Sequence, residues 1–114
     1  ILGIEAEINL YKEALVKTTE ELQKIKVKAA QNLSEEEAAV FDAHINMAND
    51  PELLSQTTDK IKTENVNASY AFDEVSNMFI MMKENGISGG IDCAPAFKEV
   101  AENIFILERL RKTN

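Results

Sequence analysis

The residues best suited to chemistry in this 114-residue chain are one histidine, one cysteine and twenty carboxylates. Carboxylates on helices raise the possibility of a di-iron bundle site, which needs Glu-x-x-His pairs on two helices. His44 is the only histidine and has Phe41 three residues before it, so that site cannot be built. A zinc site fails for the same reason, with one His and one Cys far apart. Cys93 and His44 could form a nucleophile–base pair, but Cys93 sits in a glycine-rich connector with no oxyanion donor suggested. Glycines in that connector (GISGGIDCA) do not read as a phosphate cradle, because no strand precedes them, no Lys is present and Asp92 would repel phosphate. Neither metal nor acid–base chemistry is supported.

What remains is recognition, and it centres on Ser34–Leu53. Ser34 with Glu37 three residues later forms a capping box, and Asp50-Pro51 is a second helix start. Two short helices are therefore predicted to meet near Ala48–Asp50, one over Glu35–Ala48 and one from Pro51 to about Thr63. The first carries two apolar lines about 100° apart at helical pitch. Ala38, Phe41, Ile45 and Ala48 form one; Val40, His44 and Met47 form the other. One line can face a core, and the second is left for an interface. The surroundings are acidic: Glu35, Glu36, Glu37, Asp42, Asp50, Glu52 and Asp59 occur with no Lys or Arg between Lys28 and Lys60. Acids in a first turn also stabilise the helix dipole, so the run Glu35–Glu37 is informative only in this combination.

The elements that must position this stretch are all helical. Ile4, Ile8, Tyr11, Leu15, Leu22, Ile25 and Ala29, with Thr18 in the gap, form a heptad seam, predicting a helix over residues 4–33 about 45 Å long. It reads as the backbone helix of a bundle. The helix from Pro51 should turn Leu53, Leu54 and Ile61 inward. Asn65 or Asn67 should cap the next helix, running to about Glu84, with Ala68, Ala71, Phe72, Val75, Met78, Phe79 and Met82 inward and Met81 on the surface. Asn85-Gly86 ends it. Pro95 opens the last helix, to about Arg111, with Phe97, Val100, Ala101, Ile104, Phe105, Leu107 and Leu110 apolar. No alternating strand pattern or internal repeat is present. The expectation is a single all-α domain over residues 1–114: a four-helix bundle with a long first helix and a broken second.

Bulk properties narrow the partners. A formal net charge of −8 argues against nucleic acid or an anionic membrane and favours a basic protein partner. A lone cysteine fits a reducing, cytoplasmic setting, and no apolar run approaches a membrane span. The first residues carry neither an initiator Met nor a signal-peptide pattern, so the chain reads as a piece of a longer protein.

Glu35-Glu36, then Ala39-Val40-Phe41-Asp42-Ala43-His44 and Asn49-Asp50-Pro51-Glu52-Leu53, resembles the "E-A-I-F-x-A-H … DPEL" signature of enzyme I, the phosphoenolpyruvate–protein phosphotransferase of bacterial sugar uptake. Lys60-Ile61-Lys62 and Asn65-Val66-Asn67-Ala68 also look like the family's next segment, extending the likeness over residues 5 to about 84. The resemblance implies a helical subdomain inserted beside a phosphohistidine domain and binding the basic phosphocarrier HPr. Carried over by position, the HPr surface corresponds to Glu35, Val40, His44, Met47, Asp50, Glu52 and Leu53. The family uses magnesium with phosphoenolpyruvate, but no cofactor is expected in this piece. Its phosphorylated histidine lies in a G-G-R-T-S-H stretch that is absent here, so His44 is not that residue and no catalytic residue is assigned. The last helix departs from the family pattern, with Val100 and Phe105 at two arginine positions. These two residues would either widen the apolar surface or tighten the bundle. The rival reading is a stand-alone helical protein that self-associates through its heptad helix.

Overall fold

A computed structural model describes residues 3–29, 32, 34–86 and 94–112. They form five helical segments: α1 (Ile4–Ala29), α2 (Glu35–Ala48), α3 (Pro51–Glu64), α4 (Ala68–Gly86) and α5 (Ala94–Lys112). Segments α2 and α3 are the two halves of a broken second helix, so the architecture is a four-helix bundle with no strand among the described residues. Its Cα extents are 44 × 34 × 17 Å, a slab rather than a sphere. The methionine side chain at 82 and residues 87–93, which include Cys93, fall outside the description.

Local signals set the helix ends. Ser34 Oγ accepts from the Glu37 amide at 3.2 Å, and Asp50 Oδ1 accepts from the Glu52 amide at 2.7 Å, with Pro51 in the first turn. Asn65 and Asn67 divide the roles that the sequence left open. Asn65 ends α3 in the left-handed region at φ 53°, which asparagine tolerates, and Asn67 Oδ1 starts α4 by accepting from the Tyr70 amide at 2.8 Å.

The core lies where α1, α3, α4 and α5 converge. Tyr11 of α1, Phe72 of α4 and Phe97 of α5 form a chain of tilted and edge-on rings with centroids 5.7 and 6.0 Å apart. Leu10, Leu53, Ile61, Val100 and Ile104 close around them. Two buried polar contacts tie distant segments together. The Glu7 carboxylate, almost wholly buried, accepts the Ala68 amide at 2.7 Å and so caps α4 from α1. Asn103 of α5 donates to Thr18 Oγ1 at 2.9 Å and to Glu21 Oε1 at 2.8 Å on α1. Neither contact was foreseen from helical spacing.

Two expectations are corrected. The seam of α1 is buried only through Thr18: Leu22 is half-buried and Ile25 is exposed, whereas Leu10 and Ala14, off the seam, are fully buried. The N-terminal half of α1 has neighbours on more than one side, so more than one line of residues turns inward there. Met78, expected inward, is 55% exposed; the buried Ser76 shows that the inward face of α4 is rotated away from it. On α5, where the sequence leaves the placement of the apolar residues open, Phe105 and Leu110 stand on the outside, while Ala96 and Asn103 are buried.

Candidate partner-docking surface

Helix α2 is attached along one side only. Ile45 and Ala48 are its buried residues, with Ala38 and Phe41 partly covered, so the first apolar line of the helix is the inward one. The second line stays at the surface. Val40 is 44% exposed, His44 is half-buried, and Met47 is half-buried against the core. Packing against α1 is reinforced by polar contacts. Asn49 Nδ2 donates to Thr19 Oγ1 at 2.8 Å and to the Ile45 carbonyl at 2.9 Å, which pins the α2–α3 junction to α1.

The acidic rim is placed by the two helix starts. Glu35 is exposed in the first turn of α2, and Glu52 is exposed in the first turn of α3. About 20 Å of helix separates the two ends. Asp50 is partly buried and holds the cap of α3, so its charge sits at the junction while one oxygen is already engaged. Glu52 takes a neutral partner, Gln56 Nε2 at 2.9 Å, and keeps its charge uncompensated in that contact. Leu53 differs from the other positions. It is fully buried in the core, so its side chain supports the surface from beneath and takes no part in it.

The fold also supplies a cation that the local sequence lacks. Lys26 Nζ of α1 lies 2.6 Å from Asp42 Oδ1, a pair sixteen residues apart that sets a positive charge against the one acid in the middle of α2. Only the folded neighbour of α2 reveals it. Met81 is exposed as expected and, with Met78, adds adaptable apolar surface on α4. Among the described residues, no three His, Cys, Asp or Glu side chains converge to hold a metal ion. Among them, too, no helix is long and apolar enough to cross a membrane.

The family described as "PEP-utilising enzyme, N-terminal" matches residues 2–85. The chain belongs to this family. A phosphoenolpyruvate-protein phosphotransferase of Bacillus sp. (strain S) is 44% identical over 84 residues, 74% of this chain and 14% of its own length. The Enterococcus faecalis enzyme of the same name is 49% identical over 80 residues, 70% of this chain and again 14% of its own. The chain therefore spans about one seventh of the relatives that it matches. A solution structure of the enzyme I (nEIt) protein superposes with a TM-score of 0.81 at 33% identity, covering 90% of this chain and 43% of that one. The helical architecture is thus that of the N-terminal region of enzyme I. The family match stops where α4 ends, and α5 lies beyond it.

Proposed function

We propose that this chain is the phosphocarrier-docking subdomain of a phosphoenolpyruvate–protein phosphotransferase, binding a basic HPr-type protein through α2 and the start of α3. The observation that carries the reading is the second apolar line of α2, which the bundle leaves at the surface between the acids at the starts of α2 and α3. A basic carrier would be steered by Glu35, Asp50 and Glu52 and held by Val40, His44 and Met47. The subdomain performs no bond-making itself. It holds the carrier beside the flanking phosphohistidine domain, so its contribution to phosphoryl transfer is proximity. This role belongs to the soluble, cytoplasmic side of sugar uptake. Self-association through the α1 seam has little to support it, since Ile8, Tyr11, Leu15 and Thr18 are already buried within the chain.

The test is an amide-shift NMR titration of this chain with unlabelled HPr at low and moderate salt. Salt-sensitive shifts centred on Val40, His44, Met47 and Glu52 are expected. Glu52→Lys should slow association and flatten the salt dependence, because it reverses a rim charge. Val40→Ser, at a position outside the core, should shorten the lifetime of the complex, and Met47→Ala should do so with some loss of stability. No shifts at high HPr concentration, or two surface variants that bind like the parent, would reject this surface.

A further inference from the structure

The outer ridge of α5, formed by Phe105, Ile106 and Leu110, carries Glu102 and Arg109 together and so favours no one charge on a partner. Helix α4 differs. Tyr70, Met78 and Met81 are 49%, 55% and 61% exposed, and Glu74 is exposed among them. Their spacing of four, four and three residues sets them on one line of the helix, about 16 Å long. The line ends in two methionines, whose unbranched, polarisable side chains re-pack around varied apolar partners. The core uses none of these four residues, and none belongs to the surface assigned to the carrier.

Helix α3 supplies the other side. Residues 65–67 alone separate α3 from α4, and the two helices pack as neighbours. Lys60 Nζ stands 5.9 Å from the centre of the Tyr70 ring and 3.0 Å from Glu64 Oε2, so it steadies the ring while its own charge is paired. The Tyr70 hydroxyl donates to Glu74 Oε1 at 3.0 Å. The ring is thus held on its face and at its hydroxyl before any partner arrives, and little side-chain freedom remains to be lost on binding. Glu74 takes a neutral donor in that contact and keeps its charge. Asp59, beside Lys60 in α3, is a second exposed acid. The seam therefore combines an apolar line, a preset aromatic anchor and two acids.

A partner that fits must be apolar along about three helical turns and positive beside that stripe. Both walls of the seam are helices, so an extended peptide finds no strand edge to join, whereas a third helix can lie along it. We propose that the outer seam of α3 and α4 is a docking groove for an amphipathic helix with a basic flank, supplied by another protein. The apolar stripe of that helix lies along Tyr70, Met78 and Met81, and its Lys or Arg side chains reach Asp59 and Glu74. The groove shares no residue with the carrier surface on α2 and the start of α3, so either can fail without the other.

The probe is a model peptide of about 18 residues, Leu and Lys in amphipathic helical order, titrated into the isotope-labelled chain at about 0.15 M salt. Shifts of the Met78 and Met81 methyl signals are expected. A Lys/Ala peptide of equal charge and a Leu/Glu peptide of equal apolarity should each bind about 10-fold more weakly or worse. Met78→Gln combined with Met81→Gln should weaken the Leu/Lys peptide about 10-fold, with far-UV circular dichroism unchanged because both residues are outside the core. Asp59→Lys should weaken it less and flatten its salt dependence, and Val40→Ser, on the carrier surface, should leave it unchanged. Silent methionine methyls would overturn the proposal. So would binding that survives the double methionine exchange or is lost in Val40→Ser, either of which moves the peptide off this groove. Equal binding of the Lys/Ala peptide would reduce the contact to net charge and overturn it as well.

Discussion

Helices α2 and α5 both present apolar residues to solvent, but they are held in different ways. Helix α5 is keyed into the bundle by Ala96, Phe97, Val100, Asn103 and Ile104, all buried, and is bonded to α1 through Asn103 and Arg111. Helix α2 has Ile45 and Ala48 fully covered and relies on its junction with α3 and on Lys26 for further attachment. Few buried contacts and exposed backbone make a segment easy to open locally. The difference teaches that the surface proposed to meet a carrier sits on the less anchored helix, where small adjustments cost little. The ridge on α5 sits on a rigid one.

The largest test of this contrast is in the keel of α5. Ile104→Ala should cost about 2–5 kcal/mol of global stability, read as a lower urea midpoint with an unchanged slope. Nearly as large is an alkaline effect at Tyr11, in the core that α5 helps to close. Burial pushes its phenol up to about 12, and its hydroxyl lies near Thr57 Oγ1 without a well-formed hydrogen bond between them. A raised folded-state pKa means that the unfolded chain ionises first. The associated stability is intact below pH 10 and declines as pH rises toward 12, by up to about 3 kcal/mol. In Tyr11→Phe that component of the alkaline loss should vanish, which parallel urea titrations at pH 9 and 11 would reveal.

A smaller effect should be confined to α2. Ser34→Ala should cost about 1 kcal/mol, seen as faster hydrogen exchange in the first turns of α2, with α5 amides unchanged. If α5 amides accelerated equally, the two helices would be one cooperative unit and the contrast would disappear. The smallest effect expected is at Glu99. Partial burial, followed by its contact with the Glu21 carboxyl, raises its pKa above the ordinary carboxylate value, with Glu102 adding to the shift and Lys17 opposing it. The folded state therefore binds this proton more tightly, and the α1–α5 contact strengthens as pH falls from neutrality through the raised pKa. Glu99→Gln should remove that dependence and modestly raise the melting temperature at pH 7.

Sequence periodicity carried most of this fold. The bounds of α2 follow from Ser34, Glu37 and Asp50-Pro51 because capping chemistry is local and needs no knowledge of neighbours. The two lines on α2 were legible for the same reason. Leu10, Ala14 and Ser76 were not, since their burial depends on how many helices surround α1 and how α4 is rotated. Lys26–Asp42 and Glu7–Ala68 join residues far apart in the chain, beyond the reach of any helical period. On α5 the two readings of its departures divide: Val100 tightens the bundle, fully buried, while Phe105 widens the exposed apolar surface. Leu53 shows the limit of transfer by position, for a matched residue can belong to the floor of a surface and not to its face.

The carboxylate of Glu7 gives the bundle a built-in reporter. A single amide proton, that of Ala68, is shared between the first turn of α1 and the first turn of α4, 61 residues away. Its exchange with deuterium requires those two turns to separate, whatever happens at α2. The protection of that one proton therefore records whether the scaffold is closed, and its rate can be followed separately from events on the other helices.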